Sequence, residues 1–224
     1  MATSGTYNFN MDIDEVIQEA SEMIGGETQL GHEPKSARRS INLILTEWQN
    51  KGVHLWTVNT TAVTVAASVS TYSLSSNTID VLEAVVERSS SSTQLTRISM
   101  EEYLLIPNKK QSGRPNQYAV RRNRDNPDVF VWPLPENSTD IIHFEKFKYL
   151  EDVNKSAVQN ADVPRRFLPA LTTGLAFNLA IKRPNVPEAR IALLKTQYSD
   201  RLKEAMEEDR ERTSLFFKPK LNVV

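Results

Sequence analysis

The sequence predicts an α+β protein: a helical bundle, made of an N-terminal helix hairpin plus two C-terminal helices, with an inserted small β-sandwich or barrel and an extended C-terminal tail. Three observations carry this. Apolar residues recur at helical spacing in the first 52 residues and again after residue 162. Between them lie short runs of Val, Thr, Ile, Tyr and Phe separated by turn residues. After residue 212 the periodicity stops while apolar residues persist. The expected organisation is a helical domain from 1–52 and 162–212, a β-rich domain from 53–161, and a tail from 213–224.

In the first helix Ile13, Val16, Ile17, Ala20, Met23 and Ile24 share a face, Asp12 or Asn10 can cap its start, and Gly25-Gly26 ends it. Asp14 and Glu15 suit the positive end of its dipole. The second helix opens at Pro34, closes by Gly52 and carries Ala37, Ile41, Ile44, Leu45 and Trp48 as its apolar stripe. The short link predicts an antiparallel hairpin of the two. Strands are expected at 63–65, 72–74, 79–86, 129–132 and 141–147, with loop tips at 89–92 and 123–127. Ser99 with Glu102 predicts a capping box for a short helix reaching about residue 105. Asp162-Val163-Pro164 announces a helix striped by Leu168, Leu171, Leu175 and Leu179 that runs to Lys182, with Pro169 in its first turns. Pro184 and Pro187 break the chain before a last helix from 188 to about 212, with Ile191, Leu194, Tyr198, Leu202 and Ala205 on its apolar side.

Composition narrows function by exclusion. The 224 residues, 39% hydrophobic and 25% charged, have room for an apolar core. A net charge of −1 gives no whole-chain attraction to nucleic acid or a membrane. The absence of Cys removes disulfides, thiolate metal sites and a cysteine nucleophile. His32, His54 and His143 are scattered and form no HExxH pair, so no metal site is expected. No GxxxxGKS, GxGxxG or GxSxG occurs among only 7 glycines, which argues against a nucleotide cofactor and a serine-hydrolase elbow. The start, MATSGTYNFNMDIDEV, lacks the pattern of a secretory signal, and no run approaches the roughly 20 apolar residues of a bilayer span. A cytoplasmic chain that does not enter a membrane is expected. Glu101-Glu102, Glu151-Asp152 and Glu207-Glu208-Asp209 read as surface charge and helix caps, because adjacent side chains on one element point apart. A glycoside-cleaving pair would need two carboxyls at a set distance. No catalytic residue and no cofactor is assigned.

Two passages suggest surface roles. Residues 113–124, GRPNQYAVRRNR, hold Arg114, Arg121, Arg122 and Arg124 around Tyr118. These are candidates for DNA phosphate or subunit contact; the alternative is a solvated hairpin offset by Asp125 and Asp128. Arg165-Arg166 is a similar, smaller pair that could meet an acidic neighbouring subunit. Trp48, Trp56 and Trp132 read as core or interface anchors. Residues 213–224, TSLFFKPKLNVV, combine Leu215, Phe216, Phe217, Leu221, Val223 and Val224 with Lys218, Pro219 and Lys220. That is too apolar for a solvated tail, so it reads as a segment that docks on a partner; the alternative is that it packs back on its own domain.

The ordered set ARRSINLILTEWQNKGVHLWTV (37–58), TIDVLEAVVER (78–88), LTRISMEEYLLIPNK (95–109), GRPNQYAVRR (113–122), VFVWPLPE (129–136) and DVPRRFLPALTTGLAFNLAIKR (162–183) resembles the head-to-tail adaptor proteins of short-tailed bacteriophages, also called tail accessory or tail tubular proteins. The resemblance implies a structural virion protein of the capsid–tail junction, held in the host cytoplasm before assembly. It implies a ring, typically of twelve copies, between the portal protein and the tail nozzle or hub protein. Such a ring extends the DNA channel, and genomic DNA passes through it without sequence-specific binding. The tail residues Leu215, Phe216, Phe217, Lys218, Lys220, Leu221, Val223 and Val224 would then dock on the portal. Two other readings remain open: a peptidoglycan hydrolase acting in DNA entry, and a DNA-binding module using the arginines of 114–124.

Overall fold

The structure, a computed structural model, describes residues 5–6, 9–25, 33–53, 55–154 and 159–209. It is an α+β protein. In chain order its first half contains α1 (Ile13–Ile24), α2 (Glu33–Asn50), β1 (Val58–Thr64), β2 (Thr71–Ser73), β3 (Thr78–Arg88), β4 (Ser91–Gln94), β5 (Thr96–Arg97) and α3 (Met100–Leu105). There follow β6 (Ser112–Gly113), β7 (Gln117–Arg121), β8 (Asp128–Trp132), β9 (Leu134–Pro135), β10 (Ile141–Lys148), α4 (Leu168–Lys182) and α5 (Glu188–Glu208). The chain divides into two compact units, one of Met1–Ile44 with Asp152–Val224, the other of Leu45–Glu151.

In the first unit α1 starts on a capping box: Asp12 Oδ1 accepts from the Glu15 N–H at 2.8 Å, and Glu15 Oε2 accepts from the Asp12 N–H at 3.0 Å. Gly25, at φ 82°, takes the left-handed conformation that ends the helix. The α1 stripe is buried as expected, and α1 packs on α4. α4 is buried on most of its circumference and packs on α5 as well. Thr172 and Thr173 are tolerated there because their hydroxyls return to helix carbonyls, Thr173 to Pro169 at 2.8 Å. Polar ties join α2 to this unit: Arg38 to Asp14 at 2.9 Å, Lys182 Nζ to Ser40 Oγ at 2.6 Å, and the Asn42 amide to both backbone groups of Val153. The start signal at Asp162 leads into a short 3-10 turn, Arg165–Phe167, and α4 proper begins at Leu168. The last helix ends at Glu208, capped by Asp209, short of the expected 212.

The second unit holds the strands. One sheet has the order β1-β10-β3-β4, antiparallel throughout; another has the order β2-β8-β7-β5, with β5 parallel to β7. The short β6 and β9 pair parallel. Val81, Ala84, Val86, Ile142 and Phe144 from the first sheet join Tyr118, Val129 and Val131 from the second in one buried cluster. Along β10 the buried positions alternate, Ile142, Phe144 and Lys146. In β3 the pairing with β10 shifts register around Leu82, which lets Val81 and Ala84, three residues apart, both turn into the core. The serine-rich stretch expected as a loop tip is half strand. Only Ser89 and Ser90 turn, both at positive φ as a two-residue hairpin requires, and β4 folds straight back on β3.

Candidate assembly surfaces

The arginine-rich passage is built into the two sheets. β4 covers β3 only over residues 85–88. Nearer the start of β3, side chains of the second sheet take its carbonyls: Arg97 Nη1 donates to Val81 O at 2.6 Å, and the Tyr118 hydroxyl to Leu82 O at 2.9 Å. Asp80, buried, accepts from Arg97 at 3.0 and 3.1 Å, from Arg122, and from the Val81 N–H at 2.9 Å. Burial alone would raise its pKa; Arg122, the Val81 amide and Arg97 together outweigh that and hold the carboxyl below its usual range. The hydrogen bond to Asp80 in turn pushes the Arg122 guanidinium up.

A second cluster closes the far end of β3. The Arg88 fork donates to Asp140 at 2.9 Å from Nε and 2.7 Å from Nη2, while Nη1 reaches Glu136 at 2.6 Å. The bond from Arg88 keeps the buried Asp140 carboxyl below its usual range, against the effect of burial. Arg114 Nη2 donates here to Val86 O at 3.3 Å and Ser91 O at 3.1 Å.

The four candidate arginines therefore do not converge. Arg122 belongs to the Asp80 end and Arg114 to the Arg88 end, separated by eight strand residues or roughly 26 Å. Arg121 lies over the Phe130 ring, 5.0 Å from its centroid. Arg124, 96% exposed, stands 3.9 Å from Asp125 in the β7–β8 connection. The acid that offsets Arg122 is Asp80, 42 residues away in sequence, not Asp128, which accepts from Ser73 and Asn123. Sequence reading missed Asp80, Arg88, Arg97 and Asp140. A signal existed for Asp80: a carboxylate inside an otherwise apolar strand pattern needs a cation.

In the helical unit a cavity of about 1190 Å³ opens among residues 9–11, α1, the start of α4 and α5. Phe9, Met11, Met23 and Leu168 supply apolar lining, Glu15, Glu19 and Glu22 negative charge, and Arg165, Arg166 and Arg201 positive charge. Arg166 pairs with Asp209 of its own chain and Arg165 lies 5.8 Å from the Phe9 ring centroid. Such a lining suits a mixed apolar and charged peptide surface.

The remaining sequence candidates have local partners or fall outside the description. Glu102 completes the Ser99 capping box, and Trp48 is wholly buried. Trp132 Nε1 donates to Asn108 O at 3.1 Å. His143 Nε2 meets Glu87 Oε2 at 2.9 Å; His32 and His54 lie outside the described residues, among which no group of three metal-ligating side chains occurs. No helix among the described residues is long and apolar enough to cross a membrane. The proposed docking residues Leu215, Phe216, Phe217, Lys218, Lys220, Leu221, Val223 and Val224 also lie outside the described residues.

A family model described as "SU10 adaptor protein" matches residues 11–218, nearly the whole chain. No curated protein matches it.

Proposed function

Because this chain belongs to the SU10 adaptor protein family, we propose that it is a head-to-tail adaptor of a short-tailed phage. In this reading the protein is structural and not catalytic. It forms a ring between the portal and the tail nozzle or hub, at the capsid–tail junction, and lengthens the channel through which DNA leaves. The observation that carries the reading is the family match over residues 11–218. The proposed architecture is a helical bundle with an inserted β-sandwich, and residues 213–224 dock on the portal. Ordering such a tail only on contact makes assembly sequential, and many tails on one ring add avidity even where each binds weakly. Within the arginine-rich passage Arg114 and Arg122 are already bonded to acceptors of the same chain, which supports a role that does not use them to grip passing DNA.

The test is to mix the purified chain with isolated portal rings from the same virion and to sediment and image the product. A ring of this chain seated on the portal is expected. A chain that never associates with portal would sink the adaptor reading. Undiminished binding after removal of residues 213–224 would remove only the role of the tail.

A further inference from the structure

Two exposed helix stripes in the helical unit are complementary to each other and point to the contact between copies. On α2, Lys35, Arg39 and Leu43 follow one another at four-residue spacing, all exposed, Leu43 by 61%. On α5, Leu193, Asp200 and Glu204 share a face at seven- and four-residue spacing, also exposed, Leu193 by 57%. Each stripe thus carries one large apolar side chain in water beside charge of a single sign.

Lys35, Arg39 and Asp200 have no ion pair among the described residues, and Glu204 has one there, with Arg201 at 3.5 Å. The basic side is reinforced from α4. Lys182 reaches across to Ser36 at 3.3 Å and Ser40 at 2.6 Å, close enough to Arg39 for the two cations to repel. Two neighbouring cations with no acid between them are stabilised by an incoming carboxylate.

We propose that α2 of one copy packs antiparallel against α5 of the next, with Leu43 against Leu193 and Lys35 and Arg39 against Asp200 and Glu204. Helix rise makes the register consistent: Leu43 to Lys35 spans about 12 Å, and Leu193 to Asp200 about 10 Å. Antiparallel pairing also sets the positive start of α2 beside the acidic end of α5. The stripes are different surfaces of one chain, so the contact is head-to-tail and can close into a ring. An apolar pair flanked along the helices by opposite charges suits a contact that forms on a template. The inference rests on the ring reading above and names the surfaces that build the ring.

Cysteine cross-linking tests it, because the chain has no Cys of its own. Chains carrying both Leu43→Cys and Leu193→Cys, assembled on portal and oxidised, should give a ladder of covalent oligomers; each single variant should stay monomeric. Charge reversal gives an independent arm. K35E/R39E and D200K/E204K should each assemble at least tenfold less well than wild type, and an equal mixture of the two should recover assembly by alternating. Three results would overturn the contact while leaving the ring reading intact: wild-type chains that form rings while the double-Cys variant gives no ladder, disulfide dimers from either single variant, or charge-reversed chains that assemble as wild type. Wild-type chains that form no ring on portal would instead remove the ring reading, and this contact with it.

Discussion

Gly174 of α4 lies directly beneath the ring of Tyr198 of α5: a Cβ at position 174 would meet Tyr198 Cε2 at 2.8 Å. The absent side chain is what allows these two helices to approach. Gly174→Ala should therefore destabilise the protein by about 1–2 kcal/mol. Overpacking a close contact costs roughly 1–3 kcal/mol, and the better helix propensity of Ala returns at most about 1. Denaturant unfolding reads the midpoint shift. In the double variant with Tyr198→Ala the two losses should sum to more than the measured total, because the clash has gone.

Acid should weaken the protein through Asp80 and Asp140. Both carboxyls titrate below their usual range in the folded chain. The unfolded chain therefore takes up these protons first as pH falls. The stability they contribute is complete above the unfolded value near 3.8 and is lost as pH drops through the lower folded values. Unfolding midpoints measured between about pH 5 and pH 2 should fall steeply in wild type and less steeply in D80N/D140N.

Lys146 presents the opposite case, a buried ammonium that has only hydroxyl partners among the described residues. Its Nζ donates to Ser75 at 2.8 Å and Thr78 at 3.2 Å, and burial, then Lys148, lower its pKa. Because the folded value lies below the unfolded one, stability should rise as pH climbs through the folded value toward 10.5. Lys146→Met should be within about 1 kcal/mol of wild type at neutral pH, or more stable, and should flatten that alkaline rise. A loss of several kcal/mol would mean that the ammonium is a needed support.

The arginines of 114–124 should separate into two classes. Arg122→Ala should lower stability by about 1 kcal/mol, since Asp80 stays buried and keeps Arg97. Arg121→Ala with Arg124→Ala should change stability by less than about 0.5 kcal/mol. If that pair touches phosphates, the same double variant should reduce the salt slope of duplex binding by roughly 2. An unchanged slope would remove DNA contact by this connection.

How far the sequence could be read follows from the range of the forces involved. Local signals were legible: the cap at Asp12, one of two residues offered, the box at Ser99–Glu102 and the stop at Gly25 are where propensity and capping put them. The main strands were found from their runs of β-branched and aromatic residues between turn residues. Distant partners were not legible. The packing of α1 on α4 joins it to an all-round apolar helix more than 140 residues away in sequence. The strand β7 was hidden by its own charge, since Arg121 and Arg122 read as solvated until Phe130 and Asp80 are placed beside them. Residues 213–224, the boldest sequence candidate, lie outside the described residues and keep their role as a proposal.

The ion clusters at Asp80 and Arg88 have a mechanical consequence. They clamp β3 at both ends, with β10 running alongside it between the clamps. A pull along this strand would load both clamps and the intervening ladder in parallel, so no single bond could yield first and unzip the rest. Forced unfolding is governed by the height of that barrier and not by equilibrium stability. β3 is thus a tie-rod, suited to a part that must keep its shape under load.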